Sequence, residues 1–185
     1  MNLEIGCGEY PDAGYDIHVD ILALPGVTVV CAMDRLPFRD ASFVGLRANH
    51  ILEHQSYELV AETLFEWLRV LQRGALVDIG VPDARCRAAS WVRGEISTAE
   101  ANYWLLGGHS DRAAHKGKKA SSGAPLWIYN AHHTFFDPAS LHYLLTRSGL
   151  VDIVVGAEDT CNMRAVARVP PDGTAIGAID PEAPS

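Results

Sequence analysis

The sequence predicts an α/β fold built on a doubly wound, mostly parallel sheet. Three observations predict it. Short apolar runs that read as strands alternate with helical patterns through much of the chain. A glycine-containing turn, Gly6-Cys7-Gly8, stands directly after the first run. Two late strand-like runs, joined by a short polar segment, read as a hairpin that adds one reversed strand to the sheet.

The elements follow in order. Residues 3–5 are a short apolar strand. Residues 15–21 alternate, with Ile17 and Val19 on one face. Residues 27–32 are a continuous β-branched run, the pattern of a strand buried on both faces. Residues 42–48 make a fourth strand, weakened by Gly45. The clearest helix comes next. Ser56 is its expected N-cap, and Val60, Leu64, Phe65, Leu68 and Leu71 recur at helical spacing. Arg69 and Arg73 suit the dipole of its last turns, and Gly74 suits the position just past its end. Residues 76–81 are a fifth strand, ended by Pro82-Asp83.

Residues 84–133 have weaker periodicity. A helix is expected over 97–106, and a loop rich in Gly, Ser and Lys over 117–125. Asp137-Pro138 reads as an N-cap with proline at N1. Leu141, Leu144 and Leu145 form that helix's apolar stripe, and Gly149 ends it. Residues 150–155 and 163–169 form the hairpin. The tail from residue 170 holds four prolines and few large apolar residues, so disorder is expected over 170–185. A sheet of this kind is expected to be covered on both faces. The organisation is one domain over 1–169, with 84–133 inserted as a lid.

Composition bounds the function. The 185 residues favour one domain, and 48% hydrophobic with 21% charged is the balance of a soluble globule. No long apolar run predicts a membrane span and no basic leader predicts a signal peptide. The cysteines at 7, 31, 86 and 161 have no Cys-x-x-Cys spacing. They suggest no disulfide framework, so a cytoplasmic protein is expected. The net charge of −8 argues against a nucleic-acid partner. The charge is uneven, however. Residues 84–133 hold seven basic side chains against three acidic, a balance of +4, which leaves −12 for the rest of the chain.

Ligands on such sheets bind beyond the carboxyl ends of the strands. Gly6-Cys7-Gly8 follows the first strand, where glycine lets a ligand approach the backbone. Asp20, beside Ile21, follows the second and can accept both hydroxyls of a ribose. Met33-Asp34 follows the third: Asp34 can accept from an exocyclic amine and Met33 can lie against a purine. Asn49-His50 follows the fourth. The set suits an adenosine without phosphate, since no G-x-G-x-x-G is present and no Lys or Arg is near the first turn.

With these residues in register, the chain over about 2–83 resembles the class I S-adenosylmethionine-dependent methyltransferases of the type 11 kind. Leu3-Glu4-Ile5-Gly6-Cys7-Gly8, Val19-Asp20-Ile21, the run from Met33 through Asp34 to Phe43, Asn49-His50-Ile51-Leu52-Glu53-His54 and the run from Glu66 to Gly74 carry the resemblance. It implies a Rossmann-like sheet of order 3-2-1-4-5-7-6 with strand 7 antiparallel. It also implies S-adenosylmethionine as cofactor, with Glu4, Gly6 and Gly8 at the methionine end, Asp20 on the ribose, and Asp34 with Met33 on the adenine. The cofactor set is then Glu4, Gly6, Cys7, Gly8, Asp20, Ile21, Met33, Asp34, Asn49 and His50. The link from strand 1 to strand 2 is too short for the usual crossover helix, so an irregular loop is expected there.

The fold's frequent N-terminal cover helices are missing from the sequence. That directs attention to 84–133, which contains Trp91, Trp104, Trp127, Tyr129 and the excess positive charge. As a lid it would favour an anionic or phosphorylated small substrate, methylated on O or N. His50 and His133 are the candidate catalytic bases, and no metal ligand is assigned. Two other readings stand beside this one. His50-Ile51-Leu52-Glu53-His54 fits the H-x-x-E-H pattern of inverzincin peptidases, with zinc on the histidines and Glu53 as base. A binding module that keeps the cofactor but not turnover is the third. No membrane partner is expected, and a second copy of the chain would supply cover in a homodimer.

Overall fold

The sheet holds seven strands in the order β3-β2-β1-β4-β5-β7-β6. In this computed structural model, residues 1–107 and 129–172 are described. The expected loop at 117–125, the tail beyond 172, and His109, Arg112, His115, Lys116, Lys118, Lys119 and Trp127 lie outside the described residues. The strands are β1 (Asn2–Ile5), β2 (Ile17–Asp20), β3 (Val29–Val30), β4 (Phe43–Asn49), β5 (Leu71–Pro82), β6 (Val151–Asp159) and β7 (Asn162–Arg168). The first five are parallel, and β7 runs antiparallel to both neighbours, β5 and β6. The order and the reversed strand are those expected from the sequence.

Alternation along the strands sorts the sheet into two unlike faces. One face presents Leu3 and Ile5, Val19, Leu46 and Ala48, Val77 and Ile79, and Met163 and Ala165 to a single core. Two helices supply the other half of that core. Helix α1 (Val60–Arg69) buries Val60, Leu64, Trp67 and Leu68, and helix α4 (Pro138–Arg147) buries Leu141 and Leu145. Each large apolar side chain withdrawn from water contributes about 1.5–3 kcal/mol. Packing of this stripe, more than intrinsic propensity, holds a ten-residue helix such as α1. Asp137 caps α4 by accepting from the Ser140 amide at 2.8 Å, with Pro138 at N1.

The opposite face is polar, and Glu4 and Asp78 on it are buried. Cross-strand neighbours His18, Glu4, Arg47 and Asp78 form a charged row across β2, β1, β4 and β5. His18 and the Asp12 amide bond the Glu4 carboxylate at 2.8 and 2.9 Å, Arg47 pairs with Asp12, and Arg164 grips Asp78. The physical reason is the short link between β1 and β2. It holds no helix, so an irregular loop anchored through Asp12 lies over this face.

Other elements differ locally from the sequence reading. Residues 27–32 form an edge strand, not one buried on both faces: only Val29 and Val30 pair, and Val30 is 51% exposed. The turn Tyr57–Leu59 precedes α1 as 3-10 helix, and the Ser56 hydroxyl bonds Glu58 instead of capping. Leu71 belongs to β5, because the amides of Ala41, Ser42 and Phe43 take the carbonyls of Arg69 and Val70 and end the helix. The weakly patterned segment contains α2 (Ala84–Val92), capped by Asp83, and α3 (Thr98–Leu106), closed by a Ser97–Glu100 capping box. Cys86 on α2 is disulfide-bonded to Cys161 beside β7, which corrects the expectation of no disulfide. No described helix is long and apolar enough to cross a membrane.

Candidate active site

A cavity of about 260 Å³ lies beyond the carboxyl ends of β1, β2 and β3. Its floor is the turn after β1. The amides of Gly6 and Cys7 both donate to the Val19 carbonyl, at 2.8 and 3.2 Å, which brings this turn against β2. Gly6 has φ +70°, and a Cβ there would stand 2.6 Å from the Ile51 side chain. Glycine is required by both the backbone and the space.

Asp20 enters from the end of β2. Its two carboxylate oxygens accept from the amides of Gly8 and Leu22, each at 2.9 Å, so the side chain is fixed in place and keeps lone pairs toward the cavity. Met33 and Asp34 line the opposite wall. Trp67 of α1 donates its indole N–H to the Met33 carbonyl at 2.8 Å, which ties this wall to the core. Ile5, Ile21, Cys31, Ala32 and Ile51 add apolar lining. The cavity therefore carries two carboxylates and, among its described lining residues, no lysine or arginine.

A second set of residues comes from the turn after β4 and from a distant return of the chain. His54, Gln55, Tyr129 and His133 complete the cavity wall. The return is clamped to the turn: the amides of His133 and Thr134 donate to the Glu53 carbonyl at 2.8 and 3.2 Å, and the Thr134 hydroxyl donates to the Gln55 carbonyl at 2.7 Å. The His132 amide donates to the Leu106 carbonyl at the end of α3, and Arg87 of α2 stacks over Trp104 at 4.2 Å. Helices α2 and α3 are thereby joined to the site edge.

Of the residues proposed from the sequence, Gly6, Asp20, Ile21, Met33, Asp34 and His133 share the cavity. Glu4, Cys7, Gly8, Asn49 and His50 are not among its lining. Glu4 is committed to Asp12 and His18 on the polar face. Gly8 reaches the site only through its amide on Asp20. The Cys7 thiol is pushed up to about 11 by burial and then by the nearby Asp20 and Glu4 carboxylates. Asn49 packs its side chain against Gly80. His50, at φ +52°, sets Nδ1 3.3 Å from the Glu53 carboxylate, which raises its pKa. Burial lowers that of His132. His50 and His54 do not share an α-helical face, because Leu52–His54 is a 3-10 turn. Gln55 is not among the sequence candidates, and Tyr129 is named only as one aromatic of the expected lid segment. Gln55 directly follows the His50–His54 motif, whereas nothing local marks Tyr129.

No protein-family model matches the chain, and no curated protein matches it by sequence. Solved structures share its fold. A SAM-dependent methyltransferase from Archaeoglobus fulgidus superposes with TM-score 0.58 at 15% identity, over 90% of this chain and 85% of that one. One from Methanosarcina mazei gives 0.57 at 19%, over 91% and 92%. The 1,6-didemethyltoxoflavin-N1-methyltransferase of Burkholderia thailandensis, solved with 1,6-didemethyltoxoflavin and S-adenosylhomocysteine, gives 0.57 at 17%, over 91% and 70%. The chain has the Rossmann-like fold of the class I S-adenosylmethionine-dependent methyltransferases.

Proposed function

We propose that the protein is an S-adenosylmethionine-dependent methyltransferase acting on an oxygen or nitrogen of a small molecule. The observation that carries this reading is the fixed Asp20 carboxylate in a cavity with Asp34 and no described lysine or arginine. A phosphate-bearing cofactor would lack cationic partners there. A nucleoside with a positive sulfonium meets two carboxylates instead.

S-adenosylmethionine, when bound, supplies an activated methyl group. The chain's residues orient it and exclude water. In this reading Asp20 accepts from the ribose hydroxyls, Asp34 accepts from the adenine amine, and Met33 lies along the purine. Gly6 allows close approach at the methionine end. Methyl transfer depends mainly on in-line placement of the nucleophile. Where the acceptor must lose a proton, His133 is the one of the two candidate bases that lines the cavity, while His50 is engaged with Glu53.

Segment 84–133 acts as the substrate cover in this reading, and its net positive charge favours an anionic acceptor. Reversing the charges of Lys116, Lys118 and Lys119 should weaken acceptor binding and spare cofactor binding. A homodimer would supply cover from a second copy, and light scattering tests for it. The cytoplasm is the proposed compartment, with Cys7 and Cys31 as free thiols. The Cys86–Cys161 bond argues against a reducing compartment, and thiol counting on freshly isolated protein decides between them.

Calorimetric titration with S-adenosylhomocysteine tests the central reading. Binding that is weakened by both Asp20→Ala and Asp34→Ala is the expected result. Loss of neither overturns the site. Formation of S-adenosylhomocysteine with a panel of small acceptors then separates an enzyme from a binding module.

A further inference from the structure

We infer that Glu53, His54 and His132 form a site for one divalent transition-metal ion at the edge of the large cavity. Each residue offers one ligand atom, and the three atoms lie within 4.8 Å of one another. An ion at ordinary coordination distances holds its donors about 3.4 Å apart, so the cluster closes by about an ångström or a little more on binding. Two imidazoles and a carboxylate are the donor set of borderline cations such as zinc, cobalt or ferrous iron.

Glu53 supplies the observation that asks for a ligand. Its side chain is 2% exposed. One carboxylate oxygen faces His50, while Oε2 has no hydrogen-bond partner among the described residues. A buried carboxylate oxygen left in this condition is costly, and a cation relieves the cost.

His54 is held as a metal ligand is held. His54 Nδ1 is 3.0 Å from the Ala131 carbonyl. A carbonyl only accepts, so Nδ1 carries the proton and Nε2 is left with its lone pair free for coordination. Metal-bound histidines almost always donate their second N–H to such a group.

There is also room. A small cavity of about 10 Å³ touches Glu53 and His132, the space of one water-sized body, and His54 lines the large cavity. Three protein ligands beside an open cavity is the pattern of a site that keeps a coordination position for another molecule. An acceptor oxygen or nitrogen occupying that position rests on the methyl-transfer reading; binding of the ion does not.

The test uses the full chain, free of any affinity histidines, stripped with EDTA and titrated with Co2+ and with Zn2+. One ion per chain is expected, with Co2+ absorption in the visible and no thiolate charge-transfer band. Glu53→Gln and His132→Ala should each weaken binding at least tenfold, and His142→Ala, on the exposed side of α4, should not. Lack of stoichiometric binding overturns the inference, as does full affinity in the E53Q/H132A double variant or a thiolate band. If the variants lose their far-UV circular dichroism, imidazole NMR of the parent chain decides instead. Broadening of the His54 and His132 signals by Co2+ supports the site, and unmoved signals reject it. Ion binding without S-adenosylhomocysteine binding would sink the proposed function and leave this site standing; the reverse result would do the opposite.

Discussion

The Asp20 carboxylate and the Gly8 amide are joined by a hydrogen bond of 2.9 Å, which links the end of β2 to the turn after β1. This bond positions the acidic group before any ligand arrives. Asp20→Ala removes it and, in the proposed reading, the acceptor for the ribose together. Hydrogen bonds to a charged group are worth about 1.5–3 kcal/mol, so S-adenosylhomocysteine affinity should fall roughly 10- to 100-fold by calorimetry. An unchanged Kd would disconnect Asp20 from the cofactor.

Gly6 and Gly74 both have positive φ, but only Gly6 is crowded by a neighbour, Ile51. Gly74→Ala should cost about 1 kcal/mol in urea unfolding, the backbone penalty alone. Gly6→Ala adds a clash at 2.6 Å with Ile51 and should cost about 2–4 kcal/mol. It should also abolish cofactor binding, because Ile51 lines the cavity. Equal costs at the two sites would contradict the packing described for Gly6.

Trp67→Phe keeps an aromatic ring in the core but loses the bond to the Met33 carbonyl. The half-buried carbonyl loses this partner and a small void opens. A loss of about 1–3 kcal/mol in stability is expected, together with a several-fold weaker response to S-adenosylhomocysteine in a thermal-shift assay. A stability loss with unchanged cofactor affinity would show that the Met33 wall does not depend on α1.

Reduction of the Cys86–Cys161 bond should destabilise the protein by roughly 2–4 kcal/mol, since it closes a long loop between α2 and the turn before β7. Urea unfolding with and without dithiothreitol measures this directly. Cys86→Ala should reproduce the reduced value, and reductant should then have no further effect.

Cys7 should be a slow nucleophile. Its thiol is raised from 9.0 to about 11, and only the thiolate reacts with iodoacetamide. At pH 8 its thiolate fraction is then roughly 100-fold below that of a thiol with pKa 9.0, and alkylation should accelerate as the pH rises toward 11. Peptide mapping after timed labelling reads the rate at this residue. Rapid labelling at pH 8 would place Cys7 in a far more open or cationic setting than the one described.

Much of the fold is written in local signals. Strand alternation in 3–5, 42–48 and 163–169, the Asp137 cap and the helical stripe from Val60 depend on residues a few positions apart, so they survive in a linear reading. The positions of Gly6, Asp20 and Asp34 at successive strand ends are legible for the same reason. Helix α2 was not legible, because it has no apolar stripe: it is held by the Asp83 cap, the disulfide to Cys161 and the stacking of Arg87 on Trp104. Glu4 looked like a cofactor residue, and its actual partners, Asp12 and His18, are set by how the short loop folds back on β1.

By itself, then, the sequence determined most of the strands and helices and the acidic register after the strands, because short-range periodicity, caps and turns encode them, while the strand order followed from the family resemblance those residues carry. Tertiary structure decided which face of the sheet is polar and which cysteines pair. It also decided that Glu53 and His54 meet His132 and that His133 reaches the cavity. Those contacts require the chain to return after α3 and lay the His133 and Thr134 amides on the Glu53 carbonyl. No periodicity within either segment records that meeting, because its energy belongs to groups that are neighbours only once the chain has folded.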